Sequence, residues 1–168
     1  MMGLRCPPLS NVRMGVIGLG MRGPGAVHCY ASLPGVQVTA LCDLLPERAE
    51  NQQKWLKSQN KPDAAVYGGS PEAWKKLCES DQVDAVHITT PWLLHTPMAL
   101  YAMRCGKHAF IEVPAAVTVD ECWALVETCE KTRRHCMMLE NCCYGEDELF
   151  ALMLCRKGVL GELVHGEG

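Results

Sequence analysis

Residues 12–25 read VRMGVIGLGMRGPG, and their interpretation decides the fold. The apolar run Met14–Ile17 empties into glycines at Gly18, Gly20, Gly23 and Gly25, and Pro24 stands where a helix can begin. A strand that ends in G-x-G-x-x-G and turns directly into a helix is the fingerprint of a dinucleotide-binding unit. The first glycine permits the tight turn. The second lets backbone approach a pyrophosphate, and the third lets the helix pack close to the strand. The helix then offers unpaired N–H groups and the positive end of its dipole to the phosphates.

The flanking sequence carries the same reading through most of the chain. Residues 1–11 form a lead-in in which Pro7 and Pro8 block regular structure. After the first strand and its helix, Val36–Leu41 reads as a second strand ending at Cys42-Asp43, and a polar helix starts at Pro46. Further strands are expected at Ala64–Tyr67, Val83–Thr89, His108–Ile111 and Cys136–Leu139, with helices between them. Thr118-Val-Asp-Glu121 is a capping box, and a last helix is expected over Glu146–Arg156. Strands such as VHIT are apolar without clean alternation, as in a parallel sheet covered on both faces. The fold class is therefore α/β, a Rossmann-type doubly wound parallel sheet over residues 12–144. Residues 145–168 read as a linking helix and, at Glu162–Gly166, the first strand of a second α/β domain cut off at its start.

Composition narrows the function classes. The 168 residues are 48% hydrophobic and 21% charged, enough for a sizeable core. Sixteen basic against 19 acidic residues give a net charge of -3, which argues against nucleic acid or an anionic membrane as partner. No apolar run spans a bilayer and no signal peptide is visible, so the stretch as written reads as cytoplasmic; a leader upstream would change that. Eleven cysteines are scattered with no C-x-x-C, which predicts reduced thiols and no metal site.

Candidate site residues lie where the chain leaves the carboxyl ends of the strands, which is where such sheets bind ligands. Gly18, Gly20, Met21, Arg22 and Gly23 form the phosphate turn, and Arg22 can add a charge-assisted contact. Asp43, 25 residues after Gly18, can accept hydrogen bonds from the adenosine ribose hydroxyls and repels a 2′-phosphate, which selects NAD over NADP. Arg48, a conceivable 2′-phosphate partner, falls inside the next helix and reads as solvated. Trp92, Leu93, Leu94 and His95 follow the fourth strand and are placed to cover the cofactor. Glu112 and Val113 follow the fifth, and Asn141 the sixth, beside the expected nicotinamide.

The strings GLGMRG, TTPWLLHTPMAL, GKHAFIEVPAA and ENCCY resemble the glucose-fructose oxidoreductase / inositol dehydrogenase / MocA family. Its members pair an N-terminal nicotinamide-binding Rossmann domain with a C-terminal α/β substrate domain. The family's Glu-Lys-Pro, whose lysine serves dehydrogenation, stands here as Glu112-Val113-Pro114. Within that family, RGPGAVHCY, EVPAA, TRRHCMMLENCCY and GVLGELVHGEG resemble the N-terminal part of glycoside hydrolase family 109, the NAD-dependent α-N-acetylgalactosaminidases.

That resemblance implies hydrolysis of a terminal α-N-acetylgalactosaminide by transient oxidation at C3, elimination, water addition and re-reduction, with NAD regenerated each turn. It also implies cofactor contacts at Met21, Arg22, Asp43, Trp92 to His95, Glu112, Val113 and Asn141. The substrate-binding tyrosines and catalytic base are expected beyond Gly168, so this chain alone is expected to be inactive. Two other readings stand beside it, a sugar or inositol dehydrogenase and a stand-alone NAD-binding domain. The apolar face toward the second domain predicts self-association, and a homo-oligomer is a possible state.

Overall fold

A computed structural model describes residues 6–167. Six strands and six helices alternate: β1 (Val12–Ile17), α1 (Gly23–Ser32), β2 (Val36–Asp43), α2 (Pro46–Ser58), β3 (Ala65–Gly68), α3 (Ala73–Glu79), β4 (Ala85–Ile88), α4 (His95–Arg104), β5 (His108–Glu112), α5 (Val119–Thr132), β6 (Cys136–Leu139) and α6 (Glu146–Arg156). A 3₁₀ turn, Trp92–Leu94, leads into α4. The strands lie in the order β3-β2-β1-β4-β5-β6, and every neighbouring pair is parallel. This is the doubly wound order in which the winding reverses between β1 and β4, opening a crevice at their carboxyl ends.

Local chemistry sets the element ends. Pro24 and Pro46 occupy first-turn positions where a missing N–H costs nothing. Thr118 and Glu121 form the reciprocal capping box that starts α5. Gly106, at φ 79°, takes the left-handed conformation that turns α4 into β5.

The sheet buries both faces. Ile17, Val86, Ile88 and Ile111 pack with Leu77, Met98, Met103 and Leu125 from α3, α4 and α5. Val16, Val38 and Leu41 pack with Val27 of α1 and Leu56 of α2. All four residues of β4 are buried, which explains its continuous apolar run. No helix among the described residues is long and apolar enough to cross a membrane.

The last part of the chain departs from expectation. Residues 162–167 form no strand: a strand exists only through a ladder partner, and nothing among the described residues pairs with this segment. Helix α6 forms as expected but buries none of its residues, leaving Leu149, Phe150 and Leu152 exposed. Trp123, Met137 and Met138 are also exposed. An apolar surface of this kind favours association. Light scattering of the 168-residue chain should show mass rising with concentration; a monodisperse monomer over the whole range would contradict this.

Candidate nucleotide-binding site

The glycines of this stretch differ in their surroundings. Gly18 has φ 92°, and a Cβ there would lie 2.9 Å from the Thr89 backbone. A Cβ on Gly23 would overlap the Gly18 carbonyl oxygen, so the third glycine holds α1 against the turn. Gly20 is exposed, and a Cβ there would meet only Arg48 Nη1 at 3.5 Å. That is open space beside the turn, not room filled by the fold. Gly25 meets nothing within 4 Å and is not required sterically. The N-terminus of α1 has no side-chain cap and no acidic residue in its first turn, so its N–H groups are left for an anion. Met21 and Arg22 are exposed on this turn.

Asp43 ends β2 and is buried. Its Oδ2 accepts the Leu19 N–H at 2.6 Å and its Oδ1 accepts the Leu45 N–H at 2.9 Å. The carboxylate therefore ties the glycine turn to the start of α2. An ionised carboxylate has about four acceptor positions, so both oxygens keep capacity for ribose hydroxyls. Arg48 is not simply solvated. From the first turn of α2 its Nη1 lies 3.6 Å from Asp43 Oδ1, over Gly20, because a long side chain there reaches back toward the helix N-terminus.

The loop after β4 is clamped against this turn. Thr89 donates its N–H to the Ile17 carbonyl at 2.9 Å and its hydroxyl to the Gly18 carbonyl. Trp92 and Leu93 are then 65% and 73% exposed. Leu94 is exposed too. His95 behaves differently: its ring is 1% exposed, with Nδ1 2.7 Å from the Pro114 carbonyl and Nε2 2.7 Å from the Thr90 carbonyl. Both nitrogens face backbone carbonyls of the fold. His95, with Thr96 donating to the Ala115 carbonyl at 3.0 Å, clips the β4 loop to the β5 loop.

Glu112 ends β5 half-buried, and Val113 follows it in a cis peptide with Pro114. Glu112 pairs in register with Leu139 of β6, which brings the loop containing exposed Asn141 to the same end of the sheet. Behind Glu112 lies a buried polar chain that the sequence reading missed. Tyr30 Oη of α1 is 3.1 Å from His87 Nδ1, and His87 Nε2 is 3.6 Å from Glu112 Oε1. At 3.6 Å the His87–Glu112 approach is longer than a hydrogen bond, and the Tyr30 hydroxyl and His87 Nδ1 share the short contact. His87 Nε2 has no hydrogen-bond partner among the described residues. The available signal was a lone histidine inside the apolar strand VDAVHIT.

Burial, and then the neighbouring His95, push the His87 ring from its ordinary 6.5 down to about 4. Tyr30 from α1, Glu112 from β5 and His95 from α4 are the titratable groups around it. A ring that binds its proton more weakly when folded makes the unfolded chain take up the proton first. Stability is then full above about pH 6.5 and drains as pH falls toward about 4, by on the order of 3 kcal/mol. Chemical denaturation across that window should show the loss in the parent chain and a flatter profile in His87→Leu; identical profiles would remove His87 as the cause.

The comparisons with known proteins agree with this geometry. Residues 12–140 match the family described as an oxidoreductase family with an NAD-binding Rossmann fold. A "Glycosyl hydrolase family 109 protein 1" from Bacteroides fragilis is 57% identical over 166 residues, 99% of this chain and 36% of that protein. An "Alpha-N-acetylgalactosaminidase" from Bacteroides fragilis is 50% identical over 167 residues, 99% of this chain and 39% of that protein. The chain thus spans a little over a third of the length of the curated relatives it matches. Among solved structures, an NAD-binding oxidoreductase from Klebsiella pneumoniae superposes with a TM-score of 0.77 at 27% identity, covering 90% of this chain and 40% of that one. A scyllo-inositol dehydrogenase from Lactobacillus casei, solved with NAD(H) and scyllo-inositol, gives 0.80 at 18% identity over 90% of this chain and 43% of that one, a likeness of fold.

Proposed function

The chain belongs to the oxidoreductase family with an NAD-binding Rossmann fold, and on that premise we propose that it is the NAD-holding portion of a glycosidase that releases terminal α-N-acetylgalactosamine. The observation that carries this reading is the extent of likeness. At least half the residues are identical, across 99% of the chain, to proteins bearing the family 109 and α-N-acetylgalactosaminidase names.

The site fits the nucleotide in its steric detail: a left-handed Gly18, open space at Gly20, and an uncapped helix start. When bound, NAD supplies a hydride acceptor whose hydride is returned before product leaves. The chain's own residues bind and orient it. The glycine turn and the α1 N-terminus take the pyrophosphate, with Met21 and Arg22 at its edge. Asp43 takes the adenosine ribose hydroxyls. Trp92, Leu93 and Leu94 cover the cofactor, and Glu112, Val113 and Asn141 border its nicotinamide half. His95 contributes by fixing the two loops. Val113 places an apolar side chain where related dehydrogenases carry lysine, consistent with a reaction that has no net oxidation. The residues that would handle protons at the sugar are proposed to lie in the part of the curated relatives that this chain does not span.

The test uses the whole-length protein, stripped of nucleotide and then reconstituted, with a nitrophenyl α-N-acetylgalactosaminide as substrate. Nitrophenol release should vanish on stripping and return with NAD, without net NADH. Equal activity after stripping would contradict the proposal. NADH accumulating with a free sugar or inositol would identify a dehydrogenase instead. NAD binding without any turnover would identify a non-catalytic domain.

A further inference from the structure

At the amino end of the sheet, opposite the nucleotide crevice, three metal-ligating side chains converge from distant parts of the chain. Cys6 comes from the lead-in, His108 opens β5, and His135 stands just before β6. One donor atom from each lies within 4.8 Å of the other two. From this convergence we propose that Cys6, His108 and His135 form a binding site for a borderline-soft divalent cation, Zn(II), with water as fourth ligand. The sequence predicts no metal site, because the three residues share no motif spacing; only the fold assembles them.

The surroundings are built around one turn. Arg133, at φ 57°, ends α5 in the left-handed conformation and sends the chain back toward β6. Cys6 reaches this turn and its thiol donates to the Arg133 carbonyl at 3.2 Å. The His135 N–H donates to His108 Nδ1 at 3.0 Å, and the two imidazoles stack with centroids 5.2 Å apart. The cluster opens on a cleft of about 320 Å³ that also takes in Asp84, Lys107 and Arg134. Lys107 is committed to the Ser80 carbonyl, and Asp84 to Arg13.

The donor set chooses the metal class. One thiolate and two imidazoles suit Zn(II) and its neighbours, whereas Mg(II) and Ca(II) want oxygen. Zn–S and Zn–N bonds of about 2.3 and 2.0 Å require donors about 3.5 Å apart, so ligation would draw the three side chains together. On ligation the Cys6 sulphur gives its proton to solvent and exchanges the Arg133 carbonyl for the metal. If His108 ligates through Nδ1, it exchanges the His135 amide for the metal. The product ties the lead-in to the start of β5 and β6, and no electrons move.

The experiment titrates the reduced chain with Co(II), whose tetrahedral thiolate complexes are coloured, followed by Zn(II) competition. One equivalent of Co(II) should bind and be displaced by Zn(II). The colour should be lost in Cys6→Ser and the affinity should fall at least about tenfold in His135→Gln, a loss on the scale of one ligand interaction. The Cys142→Ser, Cys143→Ser double variant should bind as the parent does. Thermal unfolding confirms that each variant is folded, and His135→Gln, an exposed change, serves if Cys6→Ser is not. Absence of colour in the parent, colour that survives both Cys6→Ser and His135→Gln, or colour lost with Cys142 and Cys143, would each overturn the site.

Discussion

Gly23→Ala should weaken NAD binding severely. The added Cβ would overlap the Gly18 carbonyl oxygen, and it would also lie 3.0 Å from the Gly18 carbonyl carbon and 3.2 Å from Leu19 Cδ2. Two of these three neighbours are backbone, so the clash is relieved only by moving α1 away from β1 and opening the turn. Affinity should fall by about 100-fold or more, corresponding to roughly 2.8 kcal/mol. Overpacking should also cost about 1–3 kcal/mol of stability. Two neighbouring substitutions separate the causes. Gly25→Ala, with nothing within 4 Å, should leave both properties unchanged. Gly20→Ala meets only the flexible tip of Arg48, so it should keep the fold and still lose affinity by filling the space a phosphate needs. Calorimetry for binding and thermal unfolding for stability read the two effects apart. Parent-like affinity in Gly23→Ala would refute the assignment of this turn.

Asp43→Ala is expected to have the second large effect, again on two properties. It strands the Leu19 and Leu45 N–H groups that the carboxylate now satisfies. Hydrogen bonds to a charged acceptor are worth about 1.5–3 kcal/mol each, so a net loss near 3 kcal/mol is expected. That corresponds to a fall of roughly 10 °C in Tm for a chain of this size. Asp43→Asn is no conservative control, because its amide nitrogen would face a backbone donor. NAD affinity should drop by about 100-fold as the ribose acceptor disappears. With the carboxylate gone and Arg48 remaining, discrimination against NADP should narrow or invert. Calorimetry with both nucleotides checks this; unchanged NAD preference would show that Asp43 serves the fold alone.

The glycine turn, Asp43 and the capping box were legible in the sequence because each is a local requirement written at fixed spacing. The strand ends were legible too, since Gly, Pro and Asp punctuate them. What escaped depended on contacts between distant segments. Arg48 looks like any helix-surface arginine until α2 brings its guanidinium beside Asp43. His95 looks like a free loop histidine until the Pro114 carbonyl closes on it from 19 residues away. The Tyr30–His87–Glu112 chain joins α1, β4 and β5, and Cys6, His108 and His135 meet only at the α5–β6 turn. Residues 162–167 failed as a strand for the complementary reason: an apolar pattern supplies no hydrogen-bonding neighbour.

The proposed redox-assisted route would differ from direct displacement at one hydrogen. Oxidation at C3 acidifies the C2 proton, and elimination followed by water addition draws a new proton onto C2 from solvent. Displacement between two carboxylates never breaks the C2–H bond. The decisive measurement is therefore cleavage by the whole-length protein in deuterated water, with the released N-acetylgalactosamine read by NMR. Deuterium at C2, with C3 retaining its hydrogen, is the expected outcome. A product with its original hydrogen at C2 would contradict it.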